Sequence, residues 1–220
     1  MIQMNDFASE PEELAAVERV LRSGRFILGN EVKQFEEAWA KFCGTKFCAG
    51  VGNGMDAIEL SLRALDIGPG DEVITTSMTA IATVLAIMHA GASLVLADVD
   101  PRMALLDFAS VERCLGPGTK AVLLVHLYGQ VREMERWMTF CKDAKIHLLE
   151  DCAQTHGAVW NGHHAGAFGT WGAFSFYPTN NLGAKAMPAR SSQIPKRSRR
   201  GLKRCETAGQ RDGTNTPKRA

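Results

Sequence analysis

Apolar residues recur at helical spacing from Glu10 to Ser23, where Leu14, Val17, Val20 and Leu21 share a face and Pro11 suits a first turn. After the loop Gly24-Arg25-Phe26-Ile27-Leu28-Gly29, Val32, Phe35, Trp39 and Phe42 predict a second helix that Asn30 can cap. From Lys46 the pattern changes. Short apolar runs predict strands at Lys46–Val51, Glu72–Thr76, Ser93–Val99, Lys120–His126 and Ile146–Glu150. Between them, helices are predicted through Ile58, Leu60, Leu62 and Leu65, over Met78–Ala90 and over Glu133–Ala144. Gly68-Pro69-Gly70-Asp71 marks a turn, and Asn161-Gly162 a tight hairpin. Strands alternating with helices imply βαβ units: an α/β fold, its mainly parallel sheet flanked by helices on both faces.

Composition adds exclusions. No run of the 220-residue chain approaches the roughly 18–20 apolar residues of a membrane span, and Met1-Ile2-Gln3-Met4-Asn5-Asp6 has no signal-peptide pattern. The six cysteines are irregularly spaced and suggest neither a disulfide framework nor zinc knuckles. A cytoplasmic location is the expectation. The formal net charge of +1 hides a break at Gly183: residues 184–220 carry +9 and the remainder −8. That tail has only Met187, Ile194 and Leu202 as large apolar residues, too few for a core. A disordered basic tail and a nucleic-acid arm are two readings of it.

Three segments at predicted strand ends could carry chemistry, because ligands of such sheets sit at the carboxyl ends of strands. Gly52-Asn53-Gly54-Met55-Asp56-Ala57 enters a helix, so its backbone N–H groups could hold a phosphate, or it is a plain strand-to-helix turn. Leu148-Leu149-Glu150-Asp151-Cys152-Ala153-Gln154 places acid after a buried strand, which calls for a cationic partner such as a protonated pyridine, or for a capping role. Ala173-Phe174-Ser175-Phe176-Tyr177-Pro178-Thr179-Asn180-Asn181-Leu182-Gly183 sets Ser175 among aromatics on a predicted strand, followed by a polar turn. His156, His163 and His164 crowd one hairpin, but adjacent residues there face opposite ways, so no metal is expected. Cys152 reads as a small buried hydrophobe rather than a nucleophile.

Together the three segments resemble the DegT/StrS family of sugar aminotransferases, as do Ser23 to Gly29 with Phe35-Glu36, Gly68 to Ile74, Asp98-Val99-Asp100-Pro101 and His126-Leu127-Tyr128-Gly129-Gln130. The resemblance runs from about residue 5 to 184. It implies the large domain of fold-type I pyridoxal phosphate enzymes over residues 1–183, an incomplete family unit, with residues 184–220 as a tail outside the sheet. It further implies pyridoxal phosphate as cofactor, its phosphate held around Gly54, Met55 and Asp56 and by Ser175. Asp151 would pair with the pyridine nitrogen, and Gln154 would lie near the ring or its phenolic oxygen. The implied partners are a nucleotide-linked keto-sugar, glutamate as amino donor and a second copy in a homodimer.

Two departures bear on activity. The family's Schiff-base lysine lies in a Pro-Thr-Lys-Asn turn, and here the turn reads Pro178-Thr179-Asn180-Asn181. The aromatic that relatives set against the cofactor ring is replaced by Ala80. A third reading of the tail follows from the same resemblance. Relatives continue with Gly-Asp-x-Gly-Ala-Val-Val-Thr-Asn, and permissible codons for Lys185–Ile194, read from the third base, encode Gly-Asp-Ala-Gly-Ala-Val-Val-Thr-Asn. The tail is thus expected to be frameshift-derived. Two function classes compete: an aminotransferase inactive as this chain, and a non-enzymatic protein binding pyridoxal phosphate or a sugar nucleotide.

Overall fold

The computed structural model describes residues 10–184 and the backbone of 192–193. In chain order the elements are α1 (Pro11–Ser23), α2 (Asn30–Phe42), β1 (Cys48–Ala49), α3 (Gly54–Ala64), β2 (Glu72–Thr76), α4 (Ile81–Ala90), β3 (Ser93–Ala97) and α5 (Phe108–Cys114). They continue with β4 (Thr119–Val125), a 3-10 turn (Leu127–Gly129), α6 (Met134–Ala144), β5 (His147–Asp151), β6 (Val159–Trp160), β7 (His163–His164), β8 (Trp171–Ala173) and β9 (Ser192–Gln193).

Seven strands form one sheet in the order β1-β9-β8-β5-β4-β2-β3. The pairs from β8 to β3 are parallel, so βαβ crossovers put helices on both faces. The β5 register, Leu123 opposite Leu149 and Val125 opposite Asp151, lets Asp151 end its strand level with the end of β4. Two apolar layers result. Ile74, Val122, Leu124 and Leu148 meet Trp39 of α2, Val111 of α5 and Met134 and Trp137 of α6. On the other face, Val73, Leu123 and Leu149 meet Ala57, Ile58 and Leu62 of α3 and Ala86 and Ile87 of α4. Successive residues alternate between layers, as pleating demands.

Several expectations need correction. Asn30 is the first residue of α2 rather than its cap; Gly29 takes that place with no side-chain hydrogen bond. The helix predicted from Met78 begins at Ile81, and the expected strands shorten, most at Cys48–Ala49. Helix α5 was not anticipated. Ser175 does not lie on a strand: β8 stops at Ala173, and Phe174 and Phe176 turn into the core. The sheet also takes in part of the tail. Ser192 and Gln193 pair antiparallel with Ala173 and Gly172 on one side and Ala49 and Cys48 on the other. Backbone ladders close two open strand edges whatever the side chains, so an apolar-poor segment can supply them. The expectation of a disordered tail otherwise lies outside the described residues.

Candidate active site

The carboxyl ends of β5 and β8, the start of α3 and the start of α4 surround a cavity of about 270 Å³. Gly54, Met55, Asp151, Gln154, Ser175 and Asn180 all line it, together with Asn53, Ala80 and Thr83. Residues from segments about a hundred positions apart therefore converge on one face. Asp56 is the exception. Its backbone N–H donates to Asn53 Oδ1 at 2.9 Å, so the helix cap consumes it, and Asp56 does not line the cavity.

The start of α3 is built for an anion. Asn53 caps it, the amides of Asp56 and Ala57 are satisfied by that residue, and those of Gly54 and Met55 have no described acceptor. Gly54 is required by a close approach: a Cβ there would stand 2.7 Å from Ser175 Cβ. Ser175 Oγ accepts from the Tyr177 N–H at 3.3 Å, leaving its hydroxyl proton to point elsewhere.

Asp151 is 7% exposed and forms no ion pair among the described residues. The Thr83 hydroxyl donates to Oδ2 at 2.8 Å and the Ala153 N–H to Oδ1 at 3.1 Å. Because Thr83 spends its proton on Asp151, its 2.7 Å contact with Thr79 must be a bond donated by Thr79. Burial raises the Asp151 pKa against the opposing pull of these two bonds and of His126. An acid so placed favours a cation in the cavity.

The remaining polar side chains are oriented by their partners. Gln154 Oε1 accepts from the Tyr128 N–H at 2.8 Å, with Tyr128 at φ 56°, which leaves the Gln154 amide nitrogen as a donor. Asn180 Nδ2 donates to the Ser175 carbonyl at 2.7 Å, and its backbone N–H donates to the Tyr177 carbonyl. The described lining contains no Lys, Arg or His.

Behind the cavity, on the opposite face of β5, Glu150 contacts His126 at 3.0 Å and accepts from the N–H groups of Gly166, Phe168 and Gly169 at 2.6–2.9 Å. His126, Glu150 and Cys152 bring ligand-type atoms within 4.8 Å of one another. Both Glu150 oxygens are already engaged, and burial followed by the Glu150 charge pushes the Cys152 thiol up, so it stays protonated. This donor set suits a structural network rather than a metal. His163 and His164 contact different aromatics, Phe168 and Phe42. Thr83 carries no signal in the sequence, while Glu150 and His126 stand in segments singled out for other reasons, and two adjacent acids at positions 150 and 151 are the one hint of their pairing.

The fold, with this cavity at its strand ends, is that of the large domain of fold-type I aminotransferases. Residues 8–186 match the DegT/DnrJ/EryC1/StrS aminotransferase family, and the chain belongs to it. It is 48% identical over 161 residues to the dTDP-3-amino-3,6-dideoxy-alpha-D-galactopyranose transaminase of Aneurinibacillus thermoaerophilus, covering 73% of this chain and 44% of that protein. The solved aminotransferase from Psychrobacter cryohalolentis matches with a TM-score of 0.85 and 30% identity, over 96% of this chain and 55% of that one. NtdA from Bacillus subtilis, solved with bound cofactor PMP, gives 0.78 and 29% over 84% and 41%. The chain spans about half the length of the relatives it matches. No helix among the described residues is long and apolar enough to cross a membrane.

Proposed function

We propose that the cavity is a pyridoxal phosphate site, that the fold derives from an aminotransferase of nucleotide-linked keto-sugars, and that this chain does not itself transfer amine. The observation that carries the cofactor reading is Asp151, a buried carboxylate that forms no ion pair among the described residues, facing a cavity that also receives an open helix start. The residues fit the group. The free amides of Gly54 and Met55 and the Ser175 hydroxyl would hold its phosphate. Asp151 would keep a proton on the pyridine nitrogen, and the spare Gln154 amide would donate to the phenolic oxygen. When bound, the group supplies an electron sink for the carbon that exchanges its amine.

Asn180 stands where the family resemblance sets the imine-forming lysine. A carboxamide is neither an amine nucleophile nor a base. Covalent attachment is lost, and with it a positioned proton carrier worth roughly 10²–10⁴ in rate. Ala80 at the cavity wall offers no ring to stack on. Glutamate as donor, a homodimer and a cytoplasmic location follow from the same resemblance. Residues 1–183 are read as the cofactor domain and 184–220 as an out-of-frame continuation, which the pairing of Ser192 and Gln193 does not oppose, since a backbone ladder ignores the reading frame.

One observation favours a second reading, a lysine-free binding protein: Asn180 is well seated, its side chain bonded to the Ser175 carbonyl. Repair separates the two. Asn180→Lys combined with restoration of the frame after Ala184 should yield amine transfer from glutamate to a nucleotide keto-sugar if the enzyme reading holds. A silent repaired protein that binds ligand more weakly than the original would favour the binder. Transfer by the original chain would overturn its inactivity, and failure to bind the cofactor in both its aldehyde and its amine form would overturn the site.

A further inference from the structure

The polar atoms left unspent in the cavity discriminate between forms of a bound cofactor. The assignment of the Asn180 amide is forced: the atom 2.7 Å from the Ser175 carbonyl must be a donor, so it is Nδ2. Asn180 Oδ1 then remains an acceptor without a described partner, on a side chain that lines the cavity. The other side-chain amide oxygens of the lining are spent, with Asn53 Oδ1 on the helix cap and Gln154 Oε1 on the Tyr128 N–H. No lysine, arginine or histidine lies in the described lining, so no amine there can condense with an aldehyde and no cation repels an ammonium.

We propose that Asn180 makes the site selective for the amine form of the cofactor, pyridoxamine phosphate, over the aldehyde form. This rests on the pyridoxal phosphate reading of the cavity. An ammonium group on the ring's exocyclic carbon brings three N–H donors and a positive charge to Asn180 Oδ1, in a cavity that already holds the Asp151 carboxylate. An aldehyde on the same carbon offers only an acceptor and meets another acceptor. A hydroxyl can donate one neutral bond and falls between them. Loss of the lysine therefore changes which form the pocket keeps, rather than simply emptying it of affinity.

The test is calorimetric titration of the full chain with pyridoxamine, pyridoxine and pyridoxal 5′-phosphates. The first two cannot form imines, so their comparison is free of reaction with surface lysines. The amine should bind roughly tenfold or more tightly than the alcohol, the scale of one charge-assisted hydrogen bond. The aldehyde should be weakest once imine on surface lysines has been mapped by borohydride reduction and subtracted. Asn180→Leu should bring amine and alcohol within about threefold, and Asn180→Asp should widen the gap. Equal affinities in the original chain, or an undiminished gap in Asn180→Leu, would overturn the inference while leaving the cofactor site standing. Absence of binding by all three compounds would overturn both.

Discussion

Glu150 and Asp151 are neighbours at the end of one buried strand, 1% and 7% exposed, and they are used in opposite ways. Pleating sends them to opposite faces of the sheet. Glu150 receives three backbone N–H groups from the 166–169 loop and lies against His126, so its charge is fully met within the chain. Asp151 receives one hydroxyl and one N–H, forms no ion pair among the described residues, and faces a cavity. Burial of a charge is costly in either case. Where the protein supplies the full complement of partners, the acid organises the fold; where part is withheld beside a cavity, it is left for a ligand. The contrast predicts that one acid is needed for stability and the other for binding.

The largest effect should come from Glu150→Ala. It orphans the buried Gly166 N–H, the half-buried N–H groups of Phe168 and Gly169 and the buried His126 ring, and removal of one side of such a network costs about 3–5 kcal/mol. Urea unfolding should show that loss, and a variant within 1 kcal/mol of the original (the spread of an ordinary surface change) would remove the structural role of Glu150. Asp151→Asn should do the reverse. Burial raises the Asp151 pKa in the folded state, so its ionisation penalises folding as pH rises from the ordinary carboxylic-acid range through the raised value. The asparagine variant escapes that penalty: it should be the more stable protein at neutral pH, with the advantage fading as pH falls through that window. Its affinity for pyridoxamine phosphate should drop on the order of 10–100-fold, as one charge-assisted bond is lost. A variant that is less stable yet binds normally would invert the comparison.

The sequence displayed the layers more clearly than the division of labour. Short apolar runs located β2, β3, β4 and β5, whereas β8 lies just before the segment in which a strand was expected, and the three suspected segments do meet at one cavity. Helix α5 was hidden because it has only seven residues, and its support is tertiary: Asp107 caps it and the Arg136 guanidinium lies 3.7 Å over the Phe108 ring. The roles of Glu150 and Asp151 were hidden for another reason. Leu148 and Leu149 are both buried, on opposite faces, so a strand covered on both sides shows no alternation from which to read its phase. Asp56 looked equivalent to Gly54 and Met55 until Asn53 was seen to take its amide. Strand β9 carried no apolar signal because what places it is backbone pairing.

The finest test of the contrast is Thr83→Val, which leaves volume nearly unchanged and removes the hydroxyl donated to Asp151 Oδ2. Nothing in the sequence marks Thr83, a buried residue within α4, so its effect isolates the geometry. Valine withdraws a partner from the ionised acid, and the Thr79 hydroxyl loses its acceptor as well. Stability should fall by about 1–2 kcal/mol at neutral pH. Because the lost bond favours the charged form, most of that deficit should disappear as pH falls through the raised Asp151 value and the acid is protonated. In the Asp151→Asn background the same substitution should cost less, with a coupling energy of about 1 kcal/mol in the double-mutant cycle. A cost that is independent of pH and additive with Asp151→Asn would mean that Thr83 serves packing alone, and that Asp151 is no better prepared for a ligand than its geometry by burial suggests.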